Sequence, residues 1–181
     1  MRSLILGSIL VFSTAQASAV QDFRSDFRSQ AIGSIEVGQI SFSESMRAKA
    51  DILGRSELAR LSSYLREDLE RALMQSSWLG ISADETHLNV VILDATPNRP
   101  TMNQVNQSGG THNREAVTGG ASLSATLVRG GEEIANFTYS WQNDALDQNA
   151  SYGIWTDART TFDRFANSIA DGIGTAPMPI S

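Results

Sequence analysis

The residues best suited to chemistry are few. His112 lies in Gly109-Gly110-Thr111-His112-Asn113-Arg114-Glu115, flanked by glycines and followed by a carboxylate. A histidine oriented by an acid can exchange a proton near neutral pH or supply one ligand to a metal ion. The competing reading is an exposed loop histidine, which the glycines favour, because catalytic geometry needs rigid support. His87, the other of the chain's 2 histidines, follows Asp84 and Glu85 at the start of a strand pattern and reads as a surface residue. A joint site of both histidines with Asp94 has no spacing to recommend it, since zinc sites announce themselves through closely placed His or Cys ligands.

The remaining chemistries lack their parts. Gly119-Gly120-Ala121-Ser122 leads into a strand and lacks the strand-turn-helix setting of a nucleophile elbow. The glycine pairs 109–110, 119–120 and 130–131 have no phosphate-loop lysine, Lys49 being the chain's only lysine. Asp51 with Glu57, and Asp144 with Asp147, read as solvated loop and helix-start carboxylates rather than a glycosidase pair. Aromatic residues offer another kind of site: Tyr139, Trp141, Tyr152 and Trp155 bracket the polar loop 142–154. Tyr139 and Trp141 obey a strand alternation and are expected in the core. Tyr152 and Trp155 stand outside it and join His112 and Arg114 as the expected partner-contact residues.

The elements that position these residues follow from periodicity. Leu123, Ala125 and Leu127 alternate with Ser122, Ser124 and Thr126, and beyond Gly130-Gly131 the residues Ala135, Phe137, Tyr139 and Trp141 alternate with Asn136, Thr138 and Ser140. This is an antiparallel hairpin over residues 121–141. Apolar residues face one another only if Leu127 opposes Ala135, Ala125 opposes Phe137 and Leu123 opposes Tyr139. That parity calls for a loop of three or five residues around the glycines rather than two. Upstream, 32–42 reads as a strand whose apolar parity switches at Gly38-Gln39, as a β-bulge would make it. Residues 43–55 read as a connection with some helical character.

From Ser56, an expected N-cap, Leu58, Leu61, Leu65, Leu69, Ala72 and Leu73 recur at helical spacing, with charged residues opposite. A strand over 87–95 follows, then a patternless loop 96–120, long enough to suggest a function of its own. After the hairpin and the loop 142–154, Ala158, Phe162, Phe165, Ile169 and Ile173 form one face of a final helix over 156–173. Strand-helix-strand implies a parallel, right-handed crossover. Elements with one apolar face each then assemble as an α+β two-layer sandwich: a four-stranded mixed sheet (β-α-β-β-β-α) with two helices on one face.

The first residues, Met1-Arg2-Ser3, the apolar run Leu4 to Phe12 and the closing Ala17-Ser18-Ala19 have the three parts of a secretory signal peptide over 1–19. Cleavage after Ala19 fits best, with Ala15-Gln16-Ala17 as second choice. The apolar run is well short of the ~20 residues that cross a bilayer. Residues 20–31 are expected to be a flexible lead-in, with Phe23 and Phe27 spaced for an amphipathic turn, 32–174 a single domain, and 175–181 a frayed tail. There is no cysteine, hence no disulfide, thiolate metal site or lipidated N-terminal cysteine. With a net charge of −6 the chain is unsuited to general nucleic-acid or anionic-membrane binding.

The element order, a helix ending near Trp78-Leu79-Gly80, the glycine hairpin leading into an aromatic strand and the final helix after a polar loop together resemble small periplasmic α+β domains. These occur in the curli secretion channel protein, the N-terminal domain of TolB and uncharacterised envelope lipoproteins. The resemblance covers residues 32–173. Two departures accompany it: no N-terminal lipid cysteine, and a polar, non-alternating loop 96–120 where the channel has membrane hairpins. It implies an envelope accessory or adaptor domain that works by contacting other molecules. Together with the composition and the missing motifs, the expectation is a non-enzymatic periplasmic domain that contacts an envelope protein, with no cofactor, metal or nucleic acid and no membrane-integral segment in the mature chain. A small metal-dependent hydrolase using the His112 loop and a small-ligand or glycan-binding module are the alternatives.

Overall fold

The computed structural model describes residues 22–28, 33–80, 86–109, 115–147 and 151–174. The expected signal peptide and tail lie outside the described residues. In chain order the elements are β1 (Asp22–Phe27), β2 (Glu36–Phe42), α1 (Glu44–Ala48), α2 (Ala50–Leu53), α3 (Arg55–Gln75), β3 (Thr86–Thr96), α4 (Met102–Gln107), β4 (Gly120–Arg129), β5 (Glu132–Gln142) and α5 (Thr156–Gly174). The α+β class expected from the sequence stands. The strand count does not: the sheet has five strands, ordered β1-β5-β4-β3-β2.

The additional strand is β1, in the stretch expected to lead in without fixed structure. Asp22 to Phe27 pair antiparallel with Ser140 to Ala135 of β5. Phe23 and Phe27 are four residues apart, a spacing that fits a helical turn but is also even, so in a strand both rings fall on one face. There Phe23 stacks on Phe137 at 6.3 Å between centroids, and Phe27 meets the same ring edge-on at 5.5 Å. The outer residues Asp22, Arg24 and Asp26 stay hydrated, with Arg24 and Asp22 ion-paired at 2.8 Å.

The β4–β5 hairpin has the register its alternation demands: Leu123 opposes Tyr139, Ala125 opposes Phe137 and Leu127 opposes Ala135. The loop differs from expectation. It is the two-residue turn Gly130-Gly131, both with positive φ (56° and 85°), closed by Arg129 opposite Glu132. Positive φ at both positions gives the turn whose twist suits a hairpin, and glycine adopts it without strain. Parity is restored by a register shift between Leu127 and Val128, where Ile134 is the surplus residue and turns into the core. The parity of the two strands is thus met by a bulge rather than by a longer loop.

β2 and β3 run parallel, with the expected shift between Val37 and Ile40. At the bulge the Asn89 side chain accepts from Gln39 N at 2.9 Å, and a Cβ on Gly38 would lie 2.4 Å from that same oxygen. Arg66 of α3 donates to the carbonyls of Val37 (2.9 Å) and Gly38 (2.8 Å). α3 begins two residues early, at Arg55 with Gly54 (φ 101°) as its N-cap, so Ser56 is not its cap.

Leu61, Leu65 and Leu69 of α3 and Phe162, Phe165 and Ile169 of α5 are fully buried. The two helices pack on each other, α3 against β2 and α5 against β4 and β5. They cover the sheet face made by Leu88, Val90, Ile92, Leu123, Ala125, Leu127, Phe137 and Tyr139. The opposite face is open and polar, crossed by hydrogen bonds from Ser122 to Ser140 and from Thr126 to Asn136. The stretch expected as a structureless loop contains α4, capped reciprocally by Thr101 and Gln104. Among the described residues no helix is long and apolar enough to cross a membrane.

Candidate functional site

Of the residues singled out in the sequence, His112 and Arg114 lie outside the described residues. His87 Nδ1 stands 3.6 Å from Glu36 Oε2 on the open side of the sheet. Among the described residues no three His, Cys, Asp or Glu side chains are arranged to hold a metal ion. Asp94 is engaged by Lys49 and by the backbone N–H of Ala95. The Tyr152 hydroxyl accepts from Asp147 N at 2.9 Å and so ties down its own loop. Trp155 is only 3% exposed, and its indole N–H donates to Glu57 Oε2 at 2.8 Å. Glu57 in turn holds Arg60 at 3.1 Å. Trp155 therefore offers little of its ring to a partner and instead joins the start of α5 to the start of α3.

A buried polar clamp organises the loops around it. Asn98 donates through Nδ2 to the Asp157 carboxylate and to the Val117 carbonyl (2.9 Å), and its Oδ1 accepts from Asp157 N (2.8 Å). Its backbone N–H donates to Ile154 O (2.7 Å), and its carbonyl accepts from Val117 N (2.8 Å). Asp157 also accepts from Gly119 N (2.8 Å) and Asn143 Nδ2 (3.2 Å). A buried carboxylate without a cation nearby is tolerable only when several donors surround it. These bonds fasten the loop after β3, the loop before β4, the loop after β5 and the first turn of α5 to one another. Gly119 is obligatory here, because a Cβ would meet Thr96 O at 2.7 Å and Asn98 Nδ2 at 3.1 Å.

Two recesses flank Ile154. The first, about 360 Å³, is an apolar groove lined by Arg99, Pro100, Met102, Val105 and Ile154. Met102 is 67% exposed at its rim, and Val117 (54%) and Ile52 (52%) are the neighbouring exposed apolar side chains on the clamped loops and on α2. α2 is tied to α4 through Asn103 and Gln107, which donate to the Asp51 carbonyl at 2.7 Å each. The second recess, about 540 Å³, is a polar cleft between α3 and α5. Its walls carry Arg60, Tyr64, Asp68 and Arg71 from α3, and Arg159 and Asp163 from α5.

Arg71 bridges the helices, binding Asp68 at 2.6 Å and Asp163 at 2.8 Å. The Asp68 side chain is only 5% exposed. Burial pushes its carboxyl up from the ordinary 3.8, more than the hydrogen bond and charge of Arg71 draw it down. The folded chain thus holds this proton to higher pH than the unfolded chain does. Stability should fall as pH rises through the interval just above 3.8, the loss being complete once Asp68 is ionised in both states. In Asp68→Asn this part of the slope should vanish. Urea midpoints of both proteins from about pH 3 to 7 test it, and parallel profiles would show that Asp68 does not titrate abnormally.

No family model matches the chain, and no curated protein matches it. Among solved structures, the PelC dodecamer from Paraburkholderia phytofirmans superposes with a TM-score of 0.44 at 8% identity, over 83% of this chain and 98% of that one. A leucine-to-methionine variant of the same dodecamer gives a TM-score of 0.43 at 7% identity, with the same shares covered. Superpositions at this level leave the reading of this chain to its own residues.

Proposed function

We propose that the chain is a non-enzymatic accessory domain of the cell envelope, exported to the periplasm, that binds an envelope protein through the clamped loop surface around Met102. The observation that carries this reading is the combination of exposed apolar side chains with a rigid mounting. Met102, 67% exposed, lines a groove with Pro100, Val105 and Ile154, while Val117 and Ile52, also more than half exposed, lie on the loop bound to Asn98 and on α2, which is tied to α4. Exposed apolar surface on a stiff frame suits protein recognition, since little ordering entropy is lost on binding. Of the contact residues expected from the sequence, Tyr152 lies two residues before Ile154 of that groove, and His112 and Arg114 lie outside the described residues. The periplasmic setting rests on the signal-peptide pattern of residues 1–19 and on the resemblance to periplasmic α+β domains.

The test is site-specific photocrosslinking in intact producing cells, with the crosslinker at position 102 and, as control, at Ser140 on the open sheet face. One discrete envelope-protein adduct is expected from position 102 and none from position 140. Adding Val117→Asp should reduce the adduct at least tenfold, while an exposed substitution of this kind leaves stability within about 0.5 kcal/mol. Equal adducts from both positions, or an adduct indifferent to Val117→Asp, would remove this surface from consideration.

A further inference from the structure

The polar cleft between α3 and α5 is separate from the apolar groove, across the Ile154 ridge. Its volume of about 540 Å³ falls within the range of small-molecule sites, which runs from about 300 to 1,000 Å³. Its three guanidinium groups are not equivalent. Arg60 is bonded to Glu57, and Arg71 is bonded to both Asp68 and Asp163. Arg159 instead lies over the Tyr64 ring, 4.4 Å from its centroid, and among the described residues it makes no direct ion pair, its charge reaching the Asp68 carboxylate only through space. Stacking fixes the plane of the guanidinium while leaving its in-plane N–H donors uncommitted. Such a group is preorganised to receive an oxyanion side-on.

The rest of the lining selects among oxyanions. Asp163 is about half exposed and has acceptor capacity beyond its bond to Arg71, and Asp68 stands behind it. These carboxylates would repel a phosphate or sulfate, which at neutral pH brings little to donate. They would instead accept hydrogen bonds from hydroxyl groups, while the outward N–H groups of Arg60 and Arg71 donate to hydroxyl oxygens. The Thr156 hydroxyl accepts from Gly153 N at 2.8 Å, which leaves its own hydrogen to donate at the cleft wall. A lining of one uncommitted cation, carboxylate acceptors and mixed donors matches a ligand with one carboxylate and several hydroxyls. We propose that this cleft binds a small polyhydroxylated carboxylate of hexuronate type, its carboxylate on Arg159 and its hydroxyls between Asp163, Arg71 and Arg60.

Isothermal titration calorimetry of the full chain with galacturonate, galactose and inorganic phosphate tests the assignment. Galacturonate should bind, and galactose and phosphate at least tenfold more weakly. Arg159→Ala should weaken galacturonate binding at least tenfold. Arg24→Ala, on the far edge of the sheet, should leave it unchanged. Because Arg159 is exposed, an unchanged melting curve will show that the variant is folded. A trisaccharide of galacturonate distinguishes the sources: tighter binding than the monosaccharide assigns the site to the end of an acidic glycan, and equal binding assigns it to the free sugar acid. The proposal is overturned by galactose or phosphate binding as well as galacturonate, by Arg159→Ala binding normally, or by no heat from any of the three.

Discussion

Asn98→Ala is expected to lower stability by about 3–5 kcal/mol. The side chain is wholly buried and spends both of its polar atoms. Its removal leaves the Val117 carbonyl and the Asp157 N–H without partners and strips one donor from a carboxylate that has no ion pair among the described residues. A stranded buried group such as the Asp157 N–H costs about 1–3 kcal/mol, and the half-buried Val117 carbonyl and the weakened Asp157 carboxylate add to it. For a domain of this size the melting temperature should drop by roughly 10 °C. Asn98→Asp is the sharper probe. It keeps the shape but sets a second carboxylate against Asp157, so its deficit should shrink as acidification places a proton on one of the two acids. Thermal melts across pH measure both effects. A loss below about 1 kcal/mol for the alanine variant would mean that water replaces the amide and that the loops hold themselves.

Phe137→Ala is expected to cost about 3–5 kcal/mol and to act unevenly. The ring is 0% exposed and is the surface on which both Phe23 and Phe27 rest. Among the described residues β1 has a single neighbouring strand, β5, so beyond that ladder its place depends largely on those two rings against Phe137, with Phe23 also meeting Tyr139 and α5. Hydrogen exchange followed by mass spectrometry should show amides 22–27 of the variant exchanging faster at denaturant concentrations where β3 and β4 remain protected. Uniform acceleration would show instead that β1 unfolds only with the whole domain.

What the sequence made legible was what periodicity alone controls. The hairpin register could be deduced because each apolar residue must face another, and the cores of α3 and α5 because Leu58 to Leu73 and Ala158 to Ile173 keep one helical face. The two-residue turn was hidden because a bulge at Ile134 supplies the odd residue that a longer loop would have supplied. β1 was hidden because a spacing of four serves both a helix and a strand. α4 carried a readable sign in Thr101-Met102-Asn103-Gln104, the Thr-x-x-Gln of a capping box. Trp155 was legible too. It stands three residues before Ala158 and seven before Phe162, so extending the helical face one step upstream places it in the core, where it is found. The clamp gave no sign, since Asn98 and Asp157 are 59 residues apart and obey no period. The cleft was also invisible, because Arg60, Arg71 and Arg159 each lie on a hydrated helix face, and only the packing of α3 on α5 brings those faces together.

The two sheet margins have a consequence for how this chain behaves among copies of itself. A strand with a free side offers a row of unpaired N–H and C=O groups to any passing extended segment, the usual start of cross-β association. On the β2 margin, the guanidinium of Arg66 already occupies the carbonyls of Val37 and Gly38, and the bulge between Val37 and Ile40 interrupts the straight run an incoming strand would need. On the β1 margin, Asp22, Arg24 and Asp26 put charge along a strand of only 6 residues. With no disulfide to bar partial opening, resistance to runaway polymerisation falls to these few polar side chains, and Arg66 guards the longer of the two margins.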